Sequence, residues 1–315
     1  PAGDGGGDGA APRRRGDHAR TGERLMGWQW ELIHHHEFIT EGPVWDGRYL
    51  FYSEIYANRT WRYDPGSGER VVWREGTQRA NGMLRAPGGG LLACEGGGRR
   101  VVRYVADKPA EVIADRFEGK QFNEPNDLAQ AESGRIWFSD PNYGGRPMQL
   151  DHESVYCVDP AGMPSGTPGG TARRVTFDTN RPNGVLLNAD ESELYVAESP
   201  HRRDQRRQLR AYPIAADGSL GEHRVLHDFA DGRGVDGMTR TTDGLIVATA
   251  GHRERGPGPM IYVFKPSGRV VSTHPAPTDK PTNCTFAEVG LGVLYVTFSG
   301  GELYRVAGTG LNGAV

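Results

Sequence analysis

Gly244-Leu-Ile-Val-Ala-Thr249 is a glycine turn that runs straight into a short β-prone segment. Branched aliphatic side chains in such a run suit a pleated, buried strand. The same local pattern recurs in both directions from it. Toward the amino terminus lie Glu193-Leu-Tyr-Val-Ala197, Arg135-Ile-Trp-Phe-Ser139, Gly90-Leu-Leu-Ala-Cys94 and Arg48-Tyr-Leu-Phe-Tyr-Ser53; toward the carboxyl terminus lies Val293-Leu-Tyr-Val-Thr297. Most are followed, after a loop, by another strand-like run, such as Arg59-Thr-Trp-Arg-Tyr-Asp64 or Met260-Ile-Tyr-Val-Phe264. Successive runs are about 40 to 60 residues apart, which matches a four-stranded propeller blade and is too long for a simple hairpin meander. The expectation is an all-β chain: a six-bladed β-propeller of four-stranded antiparallel blades around a central tunnel. No window of comparable length sustains a 3.6-residue period, which disfavours α/β architectures and leaves a β-sandwich plus a second β domain as the alternative. Residues 29 to 38 are expected to supply a strand that joins the last blade and closes the ring.

Composition agrees with many short strands, because 46 glycines and 21 prolines in 315 residues supply turns without a collagen-like period. A net charge of -3 offers no field for nucleic acid or an anionic membrane, so a small molecule is the expected partner. Oligomeric state is not readable from these numbers. Cys94, Cys157 and Cys284 lack the paired spacing of zinc sites and are expected to be reduced and structural. No apolar run approaches the roughly 20 residues that span a bilayer, and the first residues lack a signal-peptide core, so a cytoplasmic location is the default expectation. Residues 1 to 24 carry almost nothing to bury and are expected to form a disordered tail ahead of one propeller domain over 25 to 315.

A second repeat is polar. About 8 to 12 residues before each run stands one polar residue: Glu41, Asn81, Asn126, Asn183, Asp236 and Asn283. In a propeller the first strand of each blade lines the tunnel, so equivalent residues at strand starts converge near one mouth. Two carboxylates and several amide carbonyls form an all-oxygen set, which suits a hard divalent cation, Ca²⁺ first, with Mg²⁺, Mn²⁺ or Zn²⁺ also accommodated. Without a cation Glu41 and Asp236 would repel across a partly dry tunnel. The competing reading is that Asn-Gly and Asp-Gly simply make turns.

Glu41-Gly-Pro-Val-Trp45, Asn123-Glu-Pro-Asn-Asp-Leu128, Gly134-Arg-Ile-Trp-Phe-Ser-Asp-Pro141, Arg181-Pro-Asn-Gly-Val185 and Gly234-Val-Asp-Gly-Met238 resemble motifs of the gluconolactonase and regucalcin (senescence marker protein) family of six-bladed propellers. The resemblance covers residues 37 to 306. It implies metal ligation by Glu41, Asn183 and Asp236, with Asn126 as a direct or near ligand, and substrate contact by Arg79 and Asn81. Two departures stand at the entrance loops. Cys94-Glu-Gly-Gly-Gly98 lacks a histidine that bacterial members often carry, and Glu54 stands where many relatives have aspartate. Both point to a substrate other than plain gluconolactone.

The chemistry expected of such a site is hydrolysis of a lactone or related activated ester. A cation polarises the carbonyl and holds the developing charge, and Asp236 serves as the base that activates water. There is no Gly-x-Ser-x-Gly elbow, and no cysteine has an obvious base partner, so covalent catalysis is disfavoured. Glu54, Asp140, Tyr143, His201 and His252 lie in segments expected to reach the substrate, while Arg202, Arg203, Arg206 and Arg207 form a basic loop. Three other functions fit the same residues: hydrolysis of an organophosphorus ester, a non-hydrolytic cyclisation or isomerisation, and a ligand-binding propeller with a structural metal.

Overall fold

The computed structural model describes residues 27–160, 171–200, 202 and 204–314; the expected tail over 1 to 24, and His201 and Arg203, lie outside them. Six four-stranded antiparallel sheets make a six-bladed β-propeller. Their innermost strands are Thr40–Trp45, Ala80–Arg85, Leu128–Gln130, Pro182–Leu187, Val235–Arg240 and Pro281–Ala287. The six aliphatic runs read from the sequence are the second strands, such as Ile136–Asp140 and Ile246–His252. Blade 6 takes its outermost strand, Gln29–His35, from the amino-terminal end of the described chain, which pairs antiparallel with Glu302–Ala307. That contact ties first blade to last and leaves no gap in the ring.

Second strands are buried on both faces because each blade is sandwiched between two others. The apolar side chains divide accordingly into six clusters, one per blade interface. Phe122, Phe138 and Tyr156 of blade 3 pack with Leu92 and Val101 of blade 2, for example, and Val247 and Ile261 of blade 5 pack with Phe286 and Val296 of blade 6. Cys94, Cys157 and Cys284 are buried free thiols within three of these interfaces. Hydrogen bonds also cross between blades near the axis, as from Thr282 Oγ1 to the Thr40 carbonyl at 2.8 Å and from Gly82 N to the Asn126 carbonyl at 2.8 Å. Among the described residues no helix is long and apolar enough to cross a membrane.

Candidate active site

The polar residues reach the tunnel mouth through a repeated backbone irregularity. In five of the inner strands the pairing with the second strand slips by one residue, between Glu41/Val44, Ala80/Met83, Pro182/Val185, Val235/Met238 and Pro281/Cys284. Such a bulge leaves one residue unpaired and re-aims its neighbours. Asn81, Asn183 and Asp236 are each the first of the two bulged residues, so they occupy one register position. Glu41 precedes that position by one residue and compensates with a longer side chain. In blade 6 the position belongs to Thr282, and Asn283 follows it. The Asn-Gly and Asp-Gly pairs are therefore strand residues and not turns. The glycines that follow the ring residues give room to the next blade: a Cβ on Gly42 would overlap the Asn81 carbonyl oxygen, and one on Gly184 that of Asp236.

Glu41, Arg79, Asn81, Asn126, Tyr143, Asn183, Asp236 and His252 line one cavity of about 530 Å³ at this mouth. Its size falls within the roughly 300–1,000 Å³ usual for small-molecule sites. Glu41 Oε2 accepts a hydrogen bond from Gly42 N at 2.8 Å. The amide nitrogen of Asn183 donates to Tyr143 Oη at 3.0 Å, which leaves the Asn183 carbonyl oxygen as its open end. Tyr143 in turn donates to the Ser199 carbonyl at 3.1 Å. Arg79 has its main-chain NH fixed by Asn58 Oδ1 at 2.8 Å, and its guanidinium lies over the Tyr56 ring. His252 Nδ1 accepts from Glu254 N at 3.1 Å, so its neutral ring carries the proton on Nε2. Burial lowers its basicity.

Charge in the site is unbalanced at the axis. Burial pushes the Glu41 carboxyl up to about 7, against the pull of Gly42 N, the Asn283 amide and the Arg233 charge. Asp127, beside the axis, is pushed up to about 8 by burial and then by the Glu41 charge. Asp236 Oδ2 accepts from the Arg233 guanidinium, which also donates to the Pro281 carbonyl at 2.9 Å. Among the described residues no three His, Cys, Asp or Glu side chains cluster, so a cation here would rest on Glu41 and Asp236 plus the amide oxygens of Asn126 and Asn183. That donor set fits a hard cation, which would offset the burial that raises Glu41 and Asp127 and the Glu41 charge that adds to it at Asp127.

Other expected residues are placed elsewhere. Asn283 lines a separate cavity of about 180 Å³ along the inner strands and not the large one, while its amide reaches the Glu41 carboxyl. Glu54 does not line the large cavity; it is buried, accepting from Trp61 Nε1 at 2.9 Å with His36 Nδ1 3.5 Å away. Asp140 is likewise buried beneath it, pushed up to about 7 by burial. It accepts from Asn123 N at 2.8 Å and Glu124 N at 2.7 Å, and so shapes the loop that presents Asn126. The cavity also contains Glu124, Arg207, Arg233, Arg255 and Lys280, of which only Arg207 had attracted notice, as part of a basic loop. A signal for two of them was present: a basic residue stands two or three places ahead of a ring residue in Arg79/Asn81, Arg181/Asn183, Arg233/Asp236 and Lys280/Asn283. Arg79, Arg181 and Lys280 hold left-handed φ values of 57°, 45° and 52°, turning the chain into each inner strand.

Comparison with known proteins follows the same lines. Over 267 residues the chain is 29% identical to a gluconolactonase of Zymomonas mobilis, covering 80% of this chain and 74% of that protein. It is 28% identical over 283 residues to a pentonolactonase of Haloferax volcanii, covering 86% of this chain and 85% of the relative. The solved structure of a gluconolactonase from Xanthomonas campestris superimposes with a TM-score of 0.76 at 28% identity, covering 89% of each chain. The family model described as "SMP-30/Gluconolactonase/LRE-like region" matches residues 39–300, from the first inner strand through the second strand of the last blade, and to that family the chain belongs.

Proposed function

We propose that this protein hydrolyses a lactone at the large cavity and does so with one divalent cation, Ca²⁺ first among the candidates. The carrying observation is that two carboxylates and two amide side chains, Glu41, Asn126, Asn183 and Asp236, line one concave cavity. The names borne by the relatives, gluconolactonase and pentonolactonase, support the substrate class. Those four residues would hold the cation, which when bound supplies Lewis-acid polarisation of the substrate carbonyl.

The chain's own groups account for the rest. Asp236, oriented by the Arg233 guanidinium, takes a proton from a water molecule as its oxygen adds to the carbonyl carbon. The carbonyl π electrons move to oxygen; their return expels the ring oxygen, which recovers the proton, and the product is a hydroxy acid. A carboxylate is a weak base, sufficient for a strained cyclic ester and poor for an open-chain one. Arg79, Asn81 and the Nε2–H of His252 line the same cavity and serve as donors to substrate oxygens.

Elemental analysis of the purified protein, followed by acid release from a lactone panel with and without chelator, tests this. Turnover is expected to fall at least about 10²-fold in chelator and to return with Ca²⁺. Full turnover by metal-free protein removes the cation from the scheme. Acid release from no lactone at all removes the lactonase assignment.

A further inference from the structure

The walls of the large cavity differ in charge. On the side of blades 2 and 3 a single cation among the described residues, Arg79, lines the cavity over the Tyr56 ring, and Glu124 is already engaged, accepting from Gly144 N at 2.6 Å with Arg146 3.9 Å away. On the side of blades 4 to 6 stand Arg207, Arg233, Arg255 and Lys280. Arg233 is matched by Asp236. Among the described residues, none of Arg207, Arg255 and Lys280 has a carboxylate oxygen within the 4.0 Å of an ion pair, Glu254 beside them included.

Arg207 is 3% exposed. Carbonyl oxygens of Arg202, Gln205 and Ala230 hold its guanidinium at 2.6, 3.1 and 3.3 Å, so its position is built by the backbone. Burial first, and then the neighbouring Arg255 charge, disfavours its protonated form, against the weaker pull of Asp231 and Asp204. Two guanidiniums that repel each other on a partly dry wall are stabilised when an anion bridges them. Arg207 precedes the third strand of blade 4, Gln208–Pro213, and Arg255 opens the third strand of blade 5, Arg255–Phe264. Third strands lie two strand spacings, roughly 10 Å, outward from the inner strands that carry Asp236 and Asn183. Arg207 and Arg255 are thus rooted farther out from the axial oxygens than Lys280, which directly precedes the inner strand Pro281–Ala287.

We propose that the natural lactone bears a permanent anion, a carboxylate, phosphate or sulfonate, on the carbon remote from its carbonyl, and that Arg207, Arg255 and Lys280 bind that group. The inference rests on the lactonase reading and narrows its substrate class. Forked guanidinium donors suit planar and tetrahedral oxyanions, and exposed Lys280 adds a point charge at the rim.

Matched pairs test it on the Ca²⁺-loaded protein. D-glucaro-1,4-lactone is compared with D-glucono-1,4-lactone, and 6-phospho-D-glucono-1,5-lactone with D-glucono-1,5-lactone, by acid release corrected for spontaneous opening. The anionic member of at least one pair is expected to have a kcat/KM higher by about tenfold or more, chiefly through KM, with the advantage shrinking as NaCl rises. Arg255→Gln and Lys280→Gln should each cut the anionic-to-neutral ratio by about tenfold or less, and together abolish it. Equal or better turnover of both neutral members overturns the proposal and leaves the lactonase reading standing. Should no lactone be opened, that reading fails instead, and calorimetry with glucarate and gluconate decides the anion site. Glucarate binding no tighter than gluconate, or binding indifferent to Arg255→Gln, overturns it.

Discussion

The two cavities along the propeller axis share inner strands and differ in character. The mouth where those strands begin holds about 530 Å³ lined by carboxylates, amides and guanidiniums, whereas the cavity farther along holds about 180 Å³ lined by Val44, Met83, Leu128, Val185 and Met238 with Asp127 and Asn283 among them. Bulges mark the boundary between the two. In blades 2, 4 and 5 the first bulged residue, Asn81, Asn183 or Asp236, lines the mouth, and the second does not. In blades 2, 4 and 5 that second residue is glycine, but Asn283 occupies it in blade 6, and Asp127 takes the place after Asn126 in blade 3. A Cβ on Gly82 would overlap the Asp127 carboxylate, and one on Gly237 the Asn283 amide. One residue along a strand thus separates a group available to substrate from one packed between blades.

Three substitutions sharpen or break this contrast, in falling order of effect on turnover. Asp236→Asn keeps an oxygen at the mouth while removing the base and one charge. At saturating Ca²⁺, kcat should fall by about 10² or more with the thermal midpoint little changed; near-normal kcat would make Asp236 a ligand alone. Met83→Ala, on the apolar side and 3% exposed, should act in the opposite sense. Chemical denaturation should show a loss of about 2–5 kcal/mol, while kcat stays within about threefold. A collapse of kcat in well-folded Met83→Ala would show that the two cavities are coupled. Glu54→Gln should have the least effect on turnover, within about twofold, because that carboxylate serves Trp61 and not the cavity. Its cost is expected in stability, on the order of 1–3 kcal/mol for a disturbed buried hydrogen bond; a kcat/KM loss above tenfold would restore Glu54 to the substrate side.

Much of the ring was legible because it depends on local signals repeated six times. Asn81, Asn126, Asn183, Asp236 and Glu41 were all expected at one mouth, and all five line it. Asn283 was expected there and lines the other cavity, its amide reaching Glu41 from that side, since the bulge inserts a residue whose position no side-chain pattern announces. Glu54 and Asp140 sit near the site in the chain but do not line it, Glu54 meeting Trp61 and Asp140 holding the Asn123 and Glu124 amides. Arg255 was missed for a different reason: it lies 48 residues from Arg207 in the chain, and only adjacent blades bring the two guanidiniums to one wall.

Blade number, strand order within each blade and the closing role of Gln29–His35 follow from periodicity and turn chemistry, which act over a few residues and so survive in a linear reading. Which face each polar residue presents, and which charges confront one another, came only with the closed ring. A one-residue bulge reverses the face of everything beyond it, and Coulomb interactions depend on separations through space that closure sets, not on separations along the chain.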